Sequence, residues 1–263
     1  MTYETVKLEK LDSAITLFTL SRPDRLNSWN VLMRDEMAQA VREVVRDDAV
    51  RVLIVTGAGR AFSAGEDVRG MEGLKEAGTK VARRVARGIH NVFDELEAIE
   101  VPVIAALNGV AAGGGLELAL SCDFRIAADT ARLGFPENNV GLIPGSGGCS
   151  RLVKLLGPAK AKRLVMTGEM INAAEALKLG LVDEVVPSAE LNEQVMGFAR
   201  KLAAKAPLAL GLAKLVINAC VNADLETGRN LERLAQSALK HSEDHLEGVR
   251  AFVEKRPAAF KGR

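Results

Sequence analysis

The stretch that decides the fold reads PVIAALNGVAAGGGLELAL and spans residues 102–120. Its first part, residues 103–107, is a short apolar run between Pro102 and Asn108-Gly109, which is typical of a strand buried on both faces. The three glycines at 113–115 then lead into a short helix through Leu120. The stretch therefore predicts a buried strand, a turn and a Gly-rich entry into a helix.

Strand and helix signals alternate on both sides of this stretch. Strands are predicted at residues 15–20, 52–55 and 124–127. Helices are predicted where Leu32, Met37, Val41, Val44 and Val45 recur near helical spacing, and again at residues 80–99. Beyond Gly157 strand signals nearly vanish, except around residues 182–186. The pattern predicts an α/β fold with a helical C-terminal extension.

Composition limits the class of protein. The 263 residues carry a formal net charge of +1, so no overall field favours nucleic acid or a membrane surface. The three cysteines lack metal-ligand spacing, which favours reduced thiols; Cys122 and Cys149 are interpreted as small buried fillers. The N-terminal MTYETVKLEK resembles neither a secretory signal nor a transit peptide, and no apolar stretch has membrane-spanning length. We expect a cytoplasmic protein, or a mature organellar one.

Two acidic residues and two small-residue segments are candidates for chemistry. Glycines at 113–115 leave backbone N–H groups uncovered at a helix start, which suits an oxyanion, although the glycines alone favour a tight turn packed against a neighbour. Glu117 lies in an apolar run and points either into the core or into solvent. Glu137 lies in the loop at residues 135–139. If both carboxylates enter one dry pocket, burial and mutual repulsion raise their pKa values, as paired acid–base chemistry needs.

Other catalytic classes lack support. Residues 144–148, PGSGG, do not continue into the Gly-Lys-Ser/Thr of a phosphate loop, and no dinucleotide-binding glycine pattern follows a strand. His90 is expected to form a surface pair with Asp94. His241 and His245 are four residues apart but lack the third ligand that a metal site needs. We predict neither a metal nor a separate cofactor.

Several segments together resemble the enoyl-CoA hydratase/isomerase (crotonase) family, most closely its short-chain hydratases. They occur in the family's order and extend over nearly the whole chain. They are SRPDRLN at 21–27, AFSAGED at 61–67, PVIAALNG at 102–109, GGGLELA at 113–119, Pro136-Glu137 with GLIPGSGG at 141–148, and the tail from Glu247 to Arg256.

The resemblance implies an architecture that the pattern alone does not. It implies a spiral of β-β-α turns in residues 1–200, which hold the CoA-thioester site, and a helical trimerisation region in residues 201–263. Such chains form homotrimers or dimers of trimers. The expected partners are therefore further copies of the chain and an acyl-CoA thioester substrate, with no nucleic acid and no membrane.

The resemblance also implies a reaction. Backbone N–H groups of Ala64 and Gly114 would form an oxyanion hole for the thioester oxygen. Because family hydratases carry both glutamates, the chain is expected to add water to a 2-enoyl-CoA, with Glu117 activating water and Glu137 serving the α-carbon. The pair titrates together, so the division of roles stays open. Alternatives are an enoyl-CoA isomerase, another crotonase-type reaction on acyl-CoA, or a non-catalytic RNA-binding relative.

Coenzyme A is then part of the substrate, and the resemblance indicates where it would bind. Its path would follow two N-terminal segments, the glycine turn and the C-terminal tail. One departure from the family stands in this set: Glu66 replaces a residue that is more often small. The candidate binding residues are Arg25, Leu26, Ser63, Ala64, Gly65, Glu66, Asp67, Gly113, Gly114, Phe260 and Lys261.

Overall fold

A computed structural model of the chain describes residues 3–70 and 72–263. Within these ranges the chain forms two β-sheets, and ten α-helices surround and extend them. The larger sheet has six strands in the order β1-β2-β3-β5-β7-β10, parallel except for the β1–β2 hairpin. Its strands are β1 (Val6–Lys10), β2 (Ile15–Leu20), β3 (Val52–Gly57), β5 (Val103–Leu107), β7 (Phe124–Ala128) and β10 (Glu184–Val186).

The smaller sheet has four strands of three residues each, in the order β4-β6-β8-β9. They are β4 (Ala61–Ser63), β6 (Val110–Ala112), β8 (Arg132–Gly134) and β9 (Met170–Asn172). Sequence patterns did not predict these strands, because three residues are too few to show a period of two. The stretch after Asn108-Gly109, which reads as a turn into a helix, therefore contains an extra strand, β6.

The helices follow the strands in a regular way. They are α1 (Val31–Arg46), α2 (Glu72–Ala98), α3 (Gly114–Leu120), α4 (Gly148–Leu156), α5 (Pro158–Thr167), α6 (Ala173–Leu179), α7 (Leu191–Ala203), α8 (Pro207–Cys220), α9 (Leu225–Leu239) and α10 (Glu243–Glu254). Three successive turns each place one strand in the large sheet, the next in the small sheet, and then a helix: β3-β4-α2, β5-β6-α3 and β7-β8-α4. This is the expected β-β-α spiral.

Alternate residues of the large sheet enter two cores. Val52, Ile54 and Ile104 face α7, which covers the outer surface through Leu191 and Val195. The residues next to these along each strand, such as Leu53, Val55 and Ala105, point to the other face of the sheet and enter the main core beneath α1, α2 and the small sheet. Strands buried on both faces read as continuous apolar runs, which explains why the sequence predicts β3 and β5 correctly.

Both predicted helices are present, but two of the apolar residues of α1 are exposed. Leu32 and Val45 are exposed by 41% and 47%, whereas Met37, Val41 and Val44 are buried as expected. Only one stripe of α1 is buried in the core, so the flanking apolar residues stay outside. The second helix, α2, spans Glu72–Ala98 but breaks at Gly78, where φ is 80°, so the part beyond this break agrees with the helix predicted at residues 80–99.

The C-terminal helices are tied to the core by buried charge. Lys214 of α8 is 8% exposed and donates from Nζ to the carbonyls of Leu96 and Val101 and to Asp123 Oδ2, at 2.9, 3.1 and 2.9 Å. Within the described residues, no single helix is long and apolar enough to span a membrane. The segments Ser188–Ala203 and Pro207–Cys220 together reach the length and apolar composition of a membrane span, but they are bent against each other by 101°.

Candidate active site

The glycine turn at residues 113–115 is shaped by close packing. Gly113 has a φ of 54°, and a β-carbon on Gly115 would lie 2.2 Å from the carbonyl oxygen of Ser63. A β-carbon on Gly114 would lie 2.5 Å from the Trp29 ring. The packed-turn interpretation of these glycines is therefore correct. It does not exclude a binding role, because the Gly114 N–H is the first of α3 and no described residue accepts it.

Glu117 points into the protein. It lies on α3, is 3% exposed, and its Oε1 accepts the backbone N–H groups of Ser146 at 2.6 Å and Gly148 at 2.8 Å. Burial raises the pKa of Glu117 above its ordinary value, while the two amide donors oppose this rise. The loop that donates them is the PGSGG segment for which the sequence indicated no function. A β-carbon on Gly148 would come within 2.9 Å of Glu117 Oε1, so glycine is needed there.

Glu137 has a different environment. It lies on the 3-10 helix Pro136–Val140, and its Oε2 is buried without a hydrogen-bond partner among the described residues. Burial, together with the negative charge of Glu117, raises the pKa of Glu137 from 4.5 to about 7. Its Oε1 lies against Gly113, 2.9 Å from where a β-carbon would stand. Glu117 therefore has donors that favour the carboxylate, and Glu137 has an environment that favours the neutral acid.

Both carboxyl groups line one cavity of about 450 Å³. The glycine turn forms one wall, and the loop after Glu137 forms another. Apolar side chains at the opening include Val68, Val140 and Ile143, which are exposed by 57%, 61% and 69%. The cavity thus combines two dissimilar acids, an unpaired helix-start amide and an apolar rim.

The prediction that the Ala64 amide faces a ligand is wrong. Its N–H donates to the carbonyl of Leu26 at 2.9 Å, so it is already used inside the protein. Glu66, two residues later, forms a parallel bridge with Trp29 in which the Gly65 carbonyl and the Asp67 N–H take part. Successive amides of an extended chain point in opposite directions, so the Glu66 N–H points away from Trp29, and no described residue accepts it.

The sequence matches a family described as enoyl-CoA hydratase/isomerase over residues 10–263. The chain belongs to this family. It is 41% identical over 261 residues to the crotonyl-CoA hydratase of Syntrophomonas wolfei, with 99% of each chain covered. It is 40% identical over 265 residues to the short-chain-enoyl-CoA hydratase of Clostridium acetobutylicum, with both chains covered completely. The crystal structure of the enoyl-CoA hydratase from Bacillus anthracis superposes with a TM-score of 0.95 at 38% identity, covering 99% of this chain and 100% of that one.

Of the CoA-binding residues that the family resemblance implies, only some line this cavity. Ala64, Glu66, Gly113 and Gly114 do so. Ser63 is fully buried; its hydroxyl donates to the Asn27 carbonyl at 2.9 Å and accepts from the Gly65 N–H at 3.1 Å, so it supports the segment.

Gly65, Asp67, Arg25 and Leu26 are not among the residues that line the cavity. Asp67 pairs with Arg69 at 2.8 Å, a hydrogen bond that lowers the pKa of Asp67. Arg25 is exposed, and Leu26 takes a left-handed conformation with φ 50°. Arg25 and Leu26 stay predictions as contacts to CoA.

The C-terminal tail is not brought to this cavity within one chain. Phe260 lines a separate, largely apolar cavity between the C-terminal helices, and its carbonyl accepts from Arg51 at 2.7 Å. The N–H of Lys261 donates to Asp244 Oδ1 at 2.6 Å. Buried Asp244 thus holds the tail on α10, and a role of Phe260 and Lys261 in CoA binding stays a prediction.

Two predictions about reactive side chains need correction. Asp94 accepts from Arg151 at 2.7 Å, while His90 contacts the carbonyl of Gly145, so the expected surface pair of His90 with Asp94 is not formed. Cys122 is buried as expected, and burial raises its pKa to about 12, but Cys149 is exposed. Within residues 3–70 and 72–263, no three histidines, cysteines or acids stand close enough to hold a metal ion.

Sequence reasoning missed several residues of the site. Trp29 is 2% exposed and packs edge-on against Phe93 with ring centroids 5.9 Å apart. Arg34 lines the cavity and lies 3.4 Å from the Glu66 carboxylate, which is where the unusual acid of this family member points. As the chain's single tryptophan, directly after the SRPDRLN segment, Trp29 was the one available signal. Arg34 had none, because a helical arginine is ordinarily solvated.

Proposed function

We propose that the protein is an enoyl-CoA hydratase that adds water across the 2,3 double bond of a 2-enoyl-CoA and yields a 3-hydroxyacyl-CoA. The observation that carries the proposal is the pairing of Glu117 and Glu137 in one cavity, where Glu117 accepts two amide hydrogen bonds and the Oε2 of Glu137 has no partner among the described residues. A single carboxylate would suffice for moving a proton along the acyl chain, whereas water addition uses a base and an acid. The curated relatives named as hydratases support the same reaction.

The chemistry follows from the two environments. Glu117, whose carboxylate accepts hydrogen bonds from two amides, takes a proton from the water whose oxygen bonds to the β-carbon. The π electrons of the double bond move toward the thioester carbonyl and form an enolate. Glu137, which is protonated near neutral pH, donates its proton to the α-carbon. The elements of water are then added, and one proton passes from Glu117 back to Glu137, directly or through solvent, to restore the starting state.

The negative charge of the enolate needs donors. We propose the backbone N–H groups of Glu66 and Gly114, since both are free of partners among the described residues and both residues line the cavity. Each such donor typically contributes about 3–4 kcal/mol to lowering the barrier. This assignment replaces Ala64 by Glu66 as the first donor.

Assembly and location complete the proposal. The C-terminal helices expose large apolar side chains, among them Leu225 at 79%, Leu234 at 69% and Phe252 at 87%, which supports burial against further copies in a homotrimer or a dimer of trimers. A neighbouring copy would then bring its tail, with Phe260 and Lys261, toward the CoA path near Arg25. All three cysteines are free thiols, in keeping with a cytoplasmic location.

The test uses crotonyl-CoA and the loss of its enoyl-thioester absorbance. Glu117→Gln and Glu137→Gln are each expected to lower kcat by about 100- to 10,000-fold, because each removes one proton-transfer group and keeps its shape. Glu193→Gln, at an exposed position of α7, is the matched control and should retain full activity.

Three outcomes would contradict the proposal. No loss of absorbance with enoyl thioesters of any length would refute the hydratase assignment. Conversion of a 3-enoyl-CoA without hydration would favour the isomerase. Tight RNA binding at physiological salt, with no turnover, would favour a non-catalytic relative.

A further inference from the structure

The loop that supplies both amide donors to Glu117 is itself held from behind. Ser146 N–H, which donates to Glu117 Oε1 at 2.6 Å, belongs to the same peptide unit as the Gly145 carbonyl. That carbonyl is 2.5 Å from Nε2 of His90, on α2. A carbonyl oxygen only accepts, so Nε2 carries the hydrogen of this bond. One peptide unit therefore connects the imidazole on its carbonyl side to the carboxylate on its amide side.

We propose that His90 is a positioning residue that acts on Glu117 through the Gly145–Ser146 peptide. Donation to the carbonyl fixes the orientation of the peptide plane and polarises it, which strengthens the hydrogen bond that the N–H makes to the carboxylate. His90 thereby favours the carboxylate form of Glu117 and fixes its direction without touching the substrate. The inference deepens the proposed hydratase function. Only its kinetic test rests on that function.

A second anchor makes the neighbouring part of the loop rigid. Arg151, on α4, donates from Nη1 to the Ser146 carbonyl at 3.1 Å. It is held in turn by Glu97 and Asp94 of α2, each at 2.7 Å from Nη2. A β-carbon on Gly147 would collide with the Arg151 guanidinium, and Gly147 has a φ of 103°. Because Arg151 already restrains the loop as a whole, the contribution of His90 is specific to one peptide unit.

The charges around His90 come from three helices. The imidazole borders a polar cavity of about 390 Å³ on the side of the loop opposite Glu117. Its own helix, α2, contributes two acids, α4 contributes two bases, and α3 contributes the catalytic carboxylate. These groups are Asp94, Glu97, Arg151, Lys154 and Glu117. The electrostatic effect of His90 lowers the pKa of Glu117, in the same direction as the peptide-mediated effect.

The test compares His90→Leu with His90→Gln. Leucine removes the donor, whereas the side-chain amide of glutamine can place an N–H where Nε2 stood. His90→Leu is expected to lower kcat by about 3- to 10-fold, the usual range for one hydrogen bond, with KM nearly unchanged. The acid limb of the pH profile of kcat should move to higher pH in His90→Leu, because the Glu117 carboxylate loses support. His90→Gln should restore most of the rate, and Arg87→Leu, an exposed position one turn earlier on α2, should behave as the parent protein.

A readout that needs no turnover separates this inference from the hydratase assignment. The amide proton of Ser146, observed by NMR, should shift upfield in His90→Leu and stay near its original position in His90→Gln. Parent-like kcat, pH profile and Ser146 shift in His90→Leu would overturn the inference. Equal loss in His90→Leu and His90→Gln would also overturn it, since packing rather than donation would then be responsible. An inactive parent protein whose Ser146 shift still responds as expected would refute the hydratase and keep the connection.

Discussion

Replacing Glu137 by glutamine is expected to stabilise the protein at pH 8 far more than at pH 5. In the folded protein the pKa of Glu137 is raised from 4.5 to about 7, so the folded state holds its proton more tightly than the unfolded chain does. The stabilisation that comes from this proton is complete below pH 4.5 and is lost as the pH rises through 7. Above that pH the native protein keeps a half-buried carboxylate that would be better solvated on unfolding. Glutamine carries no such charge.

The magnitude follows from the size of the pKa change. A rise from 4.5 to about 7 corresponds to an upper limit of about 3 kcal/mol in the free energy of unfolding. Glu137 is only half-buried, and solvent screens part of its repulsion with Glu117, so about 1–2 kcal/mol is expected. This gain should accompany the loss of activity, because the unfavourable placement of the acid is what equips it to give up a proton.

The assay is urea unfolding at pH 5 and pH 8, at one protein concentration so that any assembly affects all samples alike. The parent protein, Glu137→Gln and the exposed control Glu193→Gln are compared. The stability difference between Glu137→Gln and the parent should grow by about 1–2 kcal/mol between the two pH values, and that of the control should not. A variant that is less stable than the parent at pH 8, or whose advantage is the same at both pH values, would refute the placement of Glu137 as a buried, unpaired acid.

Three further substitutions test other parts of the structure. Gly114→Ala puts a β-carbon 2.5 Å from the ring of Trp29, so it should lower the free energy of unfolding by about 1–3 kcal/mol. It should also shift the fluorescence emission of this single tryptophan, and unchanged fluorescence would contradict the packing. Glu66→Ala should keep kcat within about threefold because the donor is backbone, whereas Glu66→Pro, which lacks the N–H, should lose about 100- to 1,000-fold in crotonyl-CoA hydration; equal losses would argue against the donor. Lys214→Met leaves the Asp123 carboxylate without its charged partner, so it should lower the free energy of unfolding in urea by about 3–5 kcal/mol. Adding Asp123→Asn should recover part of this loss. An unchanged stability of Lys214→Met would mean that the pair is solvated.

The oxyanion segment shows how far motif matching reaches. Ala64 and Glu66 of the AFSAGED segment line the cavity, but the Ala64 amide that the motif indicated as a donor already donates to a carbonyl inside the protein. Motif position says which backbone approaches the ligand, while hydrogen-bond partners say which amide is free. Only the Leu26 carbonyl, brought to the Ala64 N–H by the left-handed turn at Leu26, shows that this amide is already used.

The sequence alone determined the elements whose signal is local. Continuous apolar runs predicted strands β3 and β5, because strands buried on both faces need apolar side chains at nearly every position. The ordered family segments indicated the spiral, the reaction and the two glutamates. Strands of three residues escaped prediction, since their stability comes from pairing across the small sheet rather than from their own residues.

Tertiary structure decided what depends on partners distant in the chain. The sequence did not decide whether Glu117 faces solvent or the core; in the structure two amides of the loop at residues 144–148 donate to its buried carboxylate. The pKa of Glu137 depends on burial and on the charge of Glu117, twenty residues away in the chain. The same holds for His90, which was expected to pair with Asp94 on its own helix but contacts the carbonyl of Gly145 instead. Protonation states and hydrogen bonds depend on distances of a few ångströms between segments, and those distances exist only after the chain has folded.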